Sequence, residues 1–388
     1  MRLIEKGSKP ALVIAGLTAM LGVSGRPAAG QVQIGAEIDI GVFHEELAPY
    51  GNWVEVENYG TVWTPNNMPP GWRPYTDGRW TYSDDYGWLW VSDLDWGWAP
   101  FHYGRWYFDD TFGWVWVPGT EWAPAWVAWR TSDDYVGWAP LPPRATWRAE
   151  IGLDLGGIDL DVAIGSRSWS FVEERVILEP QIRTRIILPA RNVTLLRSTT
   201  QATRYTVREQ RIVNVGLSIE RVERRIGRPI PRARLRTIDS ITTLRTTPRI
   251  VGSDVAVYRP RVVRTTTTRT PRLLTRRAAV ATPREDVIIR QKTSRTAFKE
   301  HQRSEFSELE SIHQRELQSA SPTTRTQLLE RHAIERRALE QDQRRGEAQI
   351  ENWQRLEREG VVRGPKIRKQ ADDEKNGKVR KTTRKKRD

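Results

Sequence analysis

The residues best equipped for chemistry in this sequence are carboxylates and indoles. Asp84-Asp85, Asp109-Asp110 and Asp133-Asp134 are three adjacent acid pairs. Glycoside hydrolysis needs two carboxyls facing each other across a cleft at about 5–10 Å. Neighbours at a hairpin tip do not span that gap. Calcium takes six or more oxygens, which such pairs supply only in part; solvated turn residues are the simpler reading. The five histidines, His44, His102, His301, His313 and His332, form no metal pair at local spacing. Without a single cysteine no structural zinc site is expected either. A Gly-rich phosphate loop and a nucleophile elbow are both missing. The expectation is a protein that is not an enzyme, with no catalytic residues, no cofactor and no metal.

The indoles are a different matter. Sixteen of the 18 tryptophans lie between Trp53 and Trp147. Each offers roughly 150–250 Å² of surface, and a domain of about a hundred residues has a high surface fraction. Some rings are therefore expected on the outside, where an indole face suits the apolar side of a sugar ring. The expected stacking residues are Trp80, Trp88, Trp98, Trp106, Trp114 and Trp122. The competing reading is that Trp simply replaces aliphatics in a thin core.

An internal repeat must position these rings. Trp53, Trp80 and Trp106 are 27 and 26 residues apart, and Trp63, Trp90 and Trp116 keep the same two spacings. A shorter fourth copy runs from Trp129 to Pro140. Within a copy, Trp80 and Tyr82 alternate with Arg79 and Thr81, and Trp88 and Trp90 with Leu89 and Val91. That is the two-residue period of a strand. Ser83-Asp84-Asp85-Tyr86-Gly87 between them is turn-forming. Each copy reads as a β-hairpin, and the set as an antiparallel meander of seven or eight strands.

The fold class expected overall is a mainly β N-terminal half of Trp-rich hairpin repeats. A small α+β middle segment and an α-helical C-terminal arm with a disordered basic tail follow. In residues, that is an export signal over 1–30, the repeat domain over 43–147 and an α+β domain over 151–240. Strands are expected at Trp169–Val172 and Val176–Leu178, and a helix through Ile219, Val222 and Ile226 that stops at Gly227. A Thr/Arg/Pro-rich linker takes 241–293. A helical hairpin or coiled-coil arm takes 294–359, its second helix starting at Ser321-Pro322. Its apolar stripe is broken, and the tail over 360–388 is strongly basic.

Charge divides the chain the same way. Phe43–Trp147 holds 14 acids against 5 bases, whereas the remainder from Arg148 holds 53 bases against 31 acids. The N-terminus has Arg2, Lys6 and Lys9 before the apolar run Ala11–Val23, then small residues at Ala28-Ala29-Gly30. This is the pattern of a cleaved export signal. Export makes nucleic acid a poor partner for the basic tail and favours an anionic envelope surface.

The strings LAPYGNW at Leu47–Trp53, GWAPFHYGRW at Gly97–Trp106 and YVGWAPLPP at Tyr135–Pro143 carry a resemblance. They resemble a family of exported bacterial proteins of unknown function with LAPYGxW, GWxWV and GWAPxxxGxW motifs, some of which carry a FecR-like domain upstream. The chain departs in showing no FecR-like domain, which speaks against signalling. No catalytic residues are defined for that family, so none is carried over; labels of some relatives imply carbohydrate binding. The functional expectation is a periplasmic, outer-membrane-associated or secreted protein binding glycan or peptidoglycan through exposed Trp faces. The alternative is an envelope scaffold whose basic helical arm mediates assembly, including oligomer formation.

Overall fold

The computed structural model describes residues 35–148, 150–157, 159–265 and 284–362. The expected export signal, residues 266–283 of the expected linker and the tail beyond residue 362 lie outside the described residues.

The repeats form four hairpins, and each pairs two tryptophans directly across its strands. They are β2 (Gly51–Val56) with β3 (Gly60–Pro65), β4 (Gly78–Ser83) with β5 (Gly87–Ser92), β6 (Arg105–Asp109) with β7 (Gly113–Val117), and β8 (Val127–Thr131) with β9 (Tyr135–Pro140). The opposed pairs are Trp53–Trp63, Trp80–Trp90, Trp106–Trp116 and Trp129–Trp138. Ahead of them stand strand β1 (Gly35–Asp39) and the short helix α1 (Gly41–Leu47).

The eight strands do not form one meander. The first and third hairpins join through Trp63 opposite Trp116, giving the sheet β2-β3-β7-β6. The other two hairpins are completed by later chain. After the small hairpin β10 (Thr146–Arg148) and β11 (Gly152–Asp154) and helix α2 (Leu160–Ala163), strand β12 (Ser170–Glu173) pairs with β9. Past helix α3 (Asn192–Ser198), β13 (Thr200–Gln201) pairs with β8. The hairpin β14 (Tyr205–Arg208) and β15 (Arg211–Asn214) adds to β5. Residues 151–240 are thus no separate domain; they close the sheets the repeats open.

Helix α4 (Ile219–Ile226) begins at its cap Ser218 and ends at Gly227 in the left-handed region, as its sequence predicts. The strand expected at Val176–Leu178 is instead a 3-10 turn at Glu174–Val176 and the turn after it. Much of the expected linker is also ordered. Strand β16 (Arg234–Thr237), helix α5 (Ile241–Thr246), β17 (Ile250–Val251) and β18 (Asp254–Val257) make a small sheet and its connection. Strand β19 (Pro260–Val263) pairs in parallel with β1.

Strand alternation gives every repeat sheet two apolar faces. Trp53, Trp63, Trp88, Trp90, Trp116, Trp129 and Trp138 point into one shared core. The intervening residues point outward, and each outward face has its own cover. Leu89 and Val91 lie under Ala233, Val255 and Val257 of the small sheet. Ala128 and Ala139 lie under Trp169, Phe171 and Leu195. Val54, Val62 and Val115 lie under Leu356 and Val362.

That last cover belongs to the arm, formed by α6 (Arg284–Gln318) and α7 (Pro322–Arg358). Ser321 accepts from the Thr324 backbone N–H and Pro322 takes the first helical turn. The helices run antiparallel in layers. Gln291 and Gln354 each donate a side-chain N–H to the other's backbone carbonyl at 3.1 Å. Eleven residues along, Gln302 and Gln343 do the same at 3.3 and 3.1 Å. Eleven further, His313 stacks on His332 with ring centroids 3.8 Å apart. Between layers Gly346 lets the Phe298 ring approach; a Cβ there would meet it at 2.6 Å.

Candidate functional site: the cleft between the arm and the Trp-rich body

The six expected stacking tryptophans are not a surface row. Trp80, Trp88 and Trp106 are at most 1% exposed; Trp98 and Trp114 are buried and Trp122 is half-buried. Trp80 packs against Trp90 and Trp129 at 5.1 and 4.5 Å between ring centroids. Trp88 donates its indole N–H to the Leu217 carbonyl and Trp106 to that of Pro100. Trp98 packs on Tyr258, and Trp122 stacks on His102. The expectation fails because it weighed the indoles against a hundred-residue domain, whereas residues 160–263 and the arm cover that domain on three sides. A larger body hides a larger share of its surface.

Trp114 is the exception in kind. It opposes Phe108 at the tip of the β6–β7 hairpin, at the rim of the core, with ring centroids 5.6 Å apart. Both rings line a cavity of about 510 Å³ between the body and the arm. The body's other contribution is the loop Pro65–Arg73, rich in Pro, Asn and Gly. Gly71 there has φ +70°, and a Cβ would meet the His301 imidazole of α6 at 2.6 Å. Asn66 accepts from the Asn52 side chain at 2.7 Å, and the Trp72 indole donates to Asp77 at 2.6 Å. These bonds fix the loop from the body side.

From the arm come Phe298 and Trp353 with the amides of Gln302 and Gln349. The charges in the cleft are both signs and mostly buried. Arg290 and Glu357 pair at 2.6 Å. Arg73 is buried with its Nε on the Ser170 hydroxyl at 3.2 Å. Burial lowers its pKa to about 10, with Glu305 and Asp342 acting in the opposite sense. Burial raises the Asp342 carboxyl, against the pull of Arg167 3.9 Å away. Aromatic faces beside amides and fixed charges, in a chamber of this volume, suit a polar ligand with apolar faces. Sequence reading missed the loop and the arm's share of the site. The string Pro65-Asn66-Asn67-Met68-Pro69-Pro70-Gly71 was the available signal, since such composition marks a loop and binding residues concentrate on loops held by rigid elements.

A second cluster holds the arm in place. The His313 Nε2–H donates to Glu335 Oε2 at 2.8 Å, and the His332 Nε2–H to Glu316 Oε2 at 2.7 Å. Glu335 is fully buried and also accepts from the Thr194 hydroxyl of α3 at 2.7 Å. Arg191 reaches Glu316 at 3.0 Å, and Arg336 reaches Glu310 at 2.6 Å. Burial lowers the His313 pKa, opposed by its bond to Glu335.

The acid pairs sit at hairpin tips. Asp84 pairs with Arg232 at 3.1 Å, Asp85 with Arg211 at 3.5 Å, and Asp134 with Arg225. Asp109 accepts from the Thr111 and Phe112 backbones at 2.8 and 2.9 Å. Among the described residues no group of three His, Asp or Glu is placed to hold a metal ion, and no helix is long and apolar enough to cross a membrane. Of the other histidines, His44 packs edge-on against Trp53 at 4.5 Å, and His102 is buried, with burial lowering its pKa to about 4.

Residues 44–145, the span of the repeats, match the model of a family described as "Family of unknown function (DUF6600)". No curated protein and no solved structure matches the chain.

Proposed function

We propose that this is an exported, non-catalytic protein of the bacterial cell envelope that binds a glycan or peptidoglycan chain in the cleft between its body and its arm. The observation that carries the reading is the cleft itself, where Trp72, Trp114, Phe298 and Trp353 converge with Asn66 and the glutamines of the arm. Export rests on the basic, apolar and small-residue order of the first thirty residues. The body supplies a rigid wall, because its indoles are locked against one another. The test is calorimetric titration of the full chain with malto-oligosaccharides and with soluble peptidoglycan fragments. Saturable binding that Trp114→Ala or Trp353→Ala weakens at least tenfold is expected. Heats of dilution alone, with every glycan, overturn the reading.

A second reading has its own observation. Ile288, Ile289 and Phe306 on α6 are about half exposed, at 57%, 48% and 53%. Exposed apolar groups such as these are where an architectural arm would meet other chains, while the basic tail meets an anionic envelope surface. A full chain that is oligomeric, beside a chain ending before α6 that is monomeric, supports it; two monomers remove it.

A further inference from the structure

The cleft has a neighbour, and the two differ in charge. A second cavity of about 460 Å³ lies on the other side of Phe108, Trp114 and Arg167, which line both. Those three side chains form a stacked partition. The Arg167 guanidinium lies 4.1 Å over the Phe108 ring, and Phe108 meets Trp114 edge-on. Each chamber is therefore given an aromatic wall from the same hairpin tip.

In the first chamber the charges cancel, Arg73 and Arg290 facing Glu305, Asp342 and Glu357, with Arg167 at the partition. In the second they do not. Arg144 and Arg345 stand there against the lone acid Asp110, Arg167 being already paired with Asp342 at 3.9 Å. Among the described residues Arg144 and Arg345 make no ion pair, and both are exposed at the mouth. Tyr59 and Tyr107 also line this chamber, their rings tilted against each other with centroids 4.9 Å apart. The guanidinium groups at this chamber favour a carboxylate, which they can bind with two parallel N–H bonds.

We infer that the second chamber is an anion subsite, and that the ligand is a linear glycan bearing carboxylates. One sugar stacks in the neutral chamber, the chain crosses the partition at Trp114, and a carboxylate lies between Arg144 and Arg345. The inference rests on the proposed cleft function and narrows its ligand class.

The experiment titrates the full chain with maltoheptaose, an oligogalacturonide of equal length, and a disaccharide-peptide fragment of peptidoglycan, whose carboxylates lie on its peptide. At low salt a carboxylate-bearing ligand is expected to bind about tenfold or more tighter than maltoheptaose, with the advantage shrinking as salt screens it. Whichever of the two binds tighter assigns the carboxylate to sugar or to peptide. The double variant Arg144→Gln/Arg345→Gln should lose that advantage, while Arg344→Gln, exposed and paired to Glu340 at 4.0 Å, should keep it. Equal affinities for all three ligands, or a double variant that binds the acidic ligand as the unsubstituted chain does, overturn the anion subsite while leaving the cleft reading standing. No binding by any of the three sinks both.

Discussion

Trp129 illustrates how single residues carry this structure. Its ring is fully buried and its indole N–H donates to the Asn214 side chain at 2.9 Å. Trp129→Phe keeps much of the ring but leaves a fully buried amide oxygen without that donor. A loss of about 1–3 kcal/mol is expected in chemical denaturation. Trp80→Ala should cost more, roughly 3–5 kcal/mol, because the surrounding indoles cannot collapse into the gap. By contrast Asp84→Asn, at an exposed tip, should change stability by no more than about 1 kcal/mol. A large loss there would mean the acid pairs are more than turn residues. The alternation of Trp with Leu and Val was fully legible in the sequence, as were the turns. Exposure was not, because the groups that cover each ring, such as Leu217 over Trp88 and Tyr258 over Trp98, come from over a hundred residues away.

At the scale of elements the arm is the instructive case. Its boundaries near Ser321-Pro322 and Gly360 were readable from capping chemistry. Its packing was not, because the contacts repeat every eleven residues rather than every seven. Gln291, Gln302 and His313 face Gln354, Gln343 and His332, and Leu328, Leu339 and Ile350 keep the same step. An eleven-residue period suits helices that do not wind left-handed. Polar layers of this kind look like breaks in an apolar stripe. The His layer should make the docking of the arm pH-dependent. His313 has a folded pKa below its ordinary 6.5, so its neutral form is the one the fold favours. Its stabilising contribution is complete above about 6.5 and is lost as pH falls through the lowered value. Glu310, held low by its bonds to Arg336, acts in the same sense at more acidic pH. His332, Glu335 and Arg336 face the same imidazole. Amide hydrogen exchange in α6 and α7 should therefore accelerate, after correction for intrinsic pH effects, between pH 7 and pH 5, ahead of exchange in the hairpins. Glu335→Ala removes a fully buried carboxylate from beside Arg191 and Arg331. A cost on the order of 3–5 kcal/mol and early exchange of the arm are expected.

At the scale of the whole molecule, the sequence divided the chain into modules by composition, and the acidic repeats with the basic remainder were real compositional units. They are not structural ones. The repeat hairpins present open edges and a second apolar face, and strands 170–173, 200–201 and 211–214 complete the sheets while the arm covers the remaining face. That is why the proposed cleft lies between segments that differ in composition. The most direct test of the account is amide hydrogen exchange of the full chain with and without a bound peptidoglycan or acidic oligosaccharide. The account predicts added protection on both sides of the cleft at once, in residues 65–73 and 108–114 of the body and in residues 291–305 and 342–354 of the arm. Protection confined to the body, or found only on the outer hairpin surfaces, would contradict it.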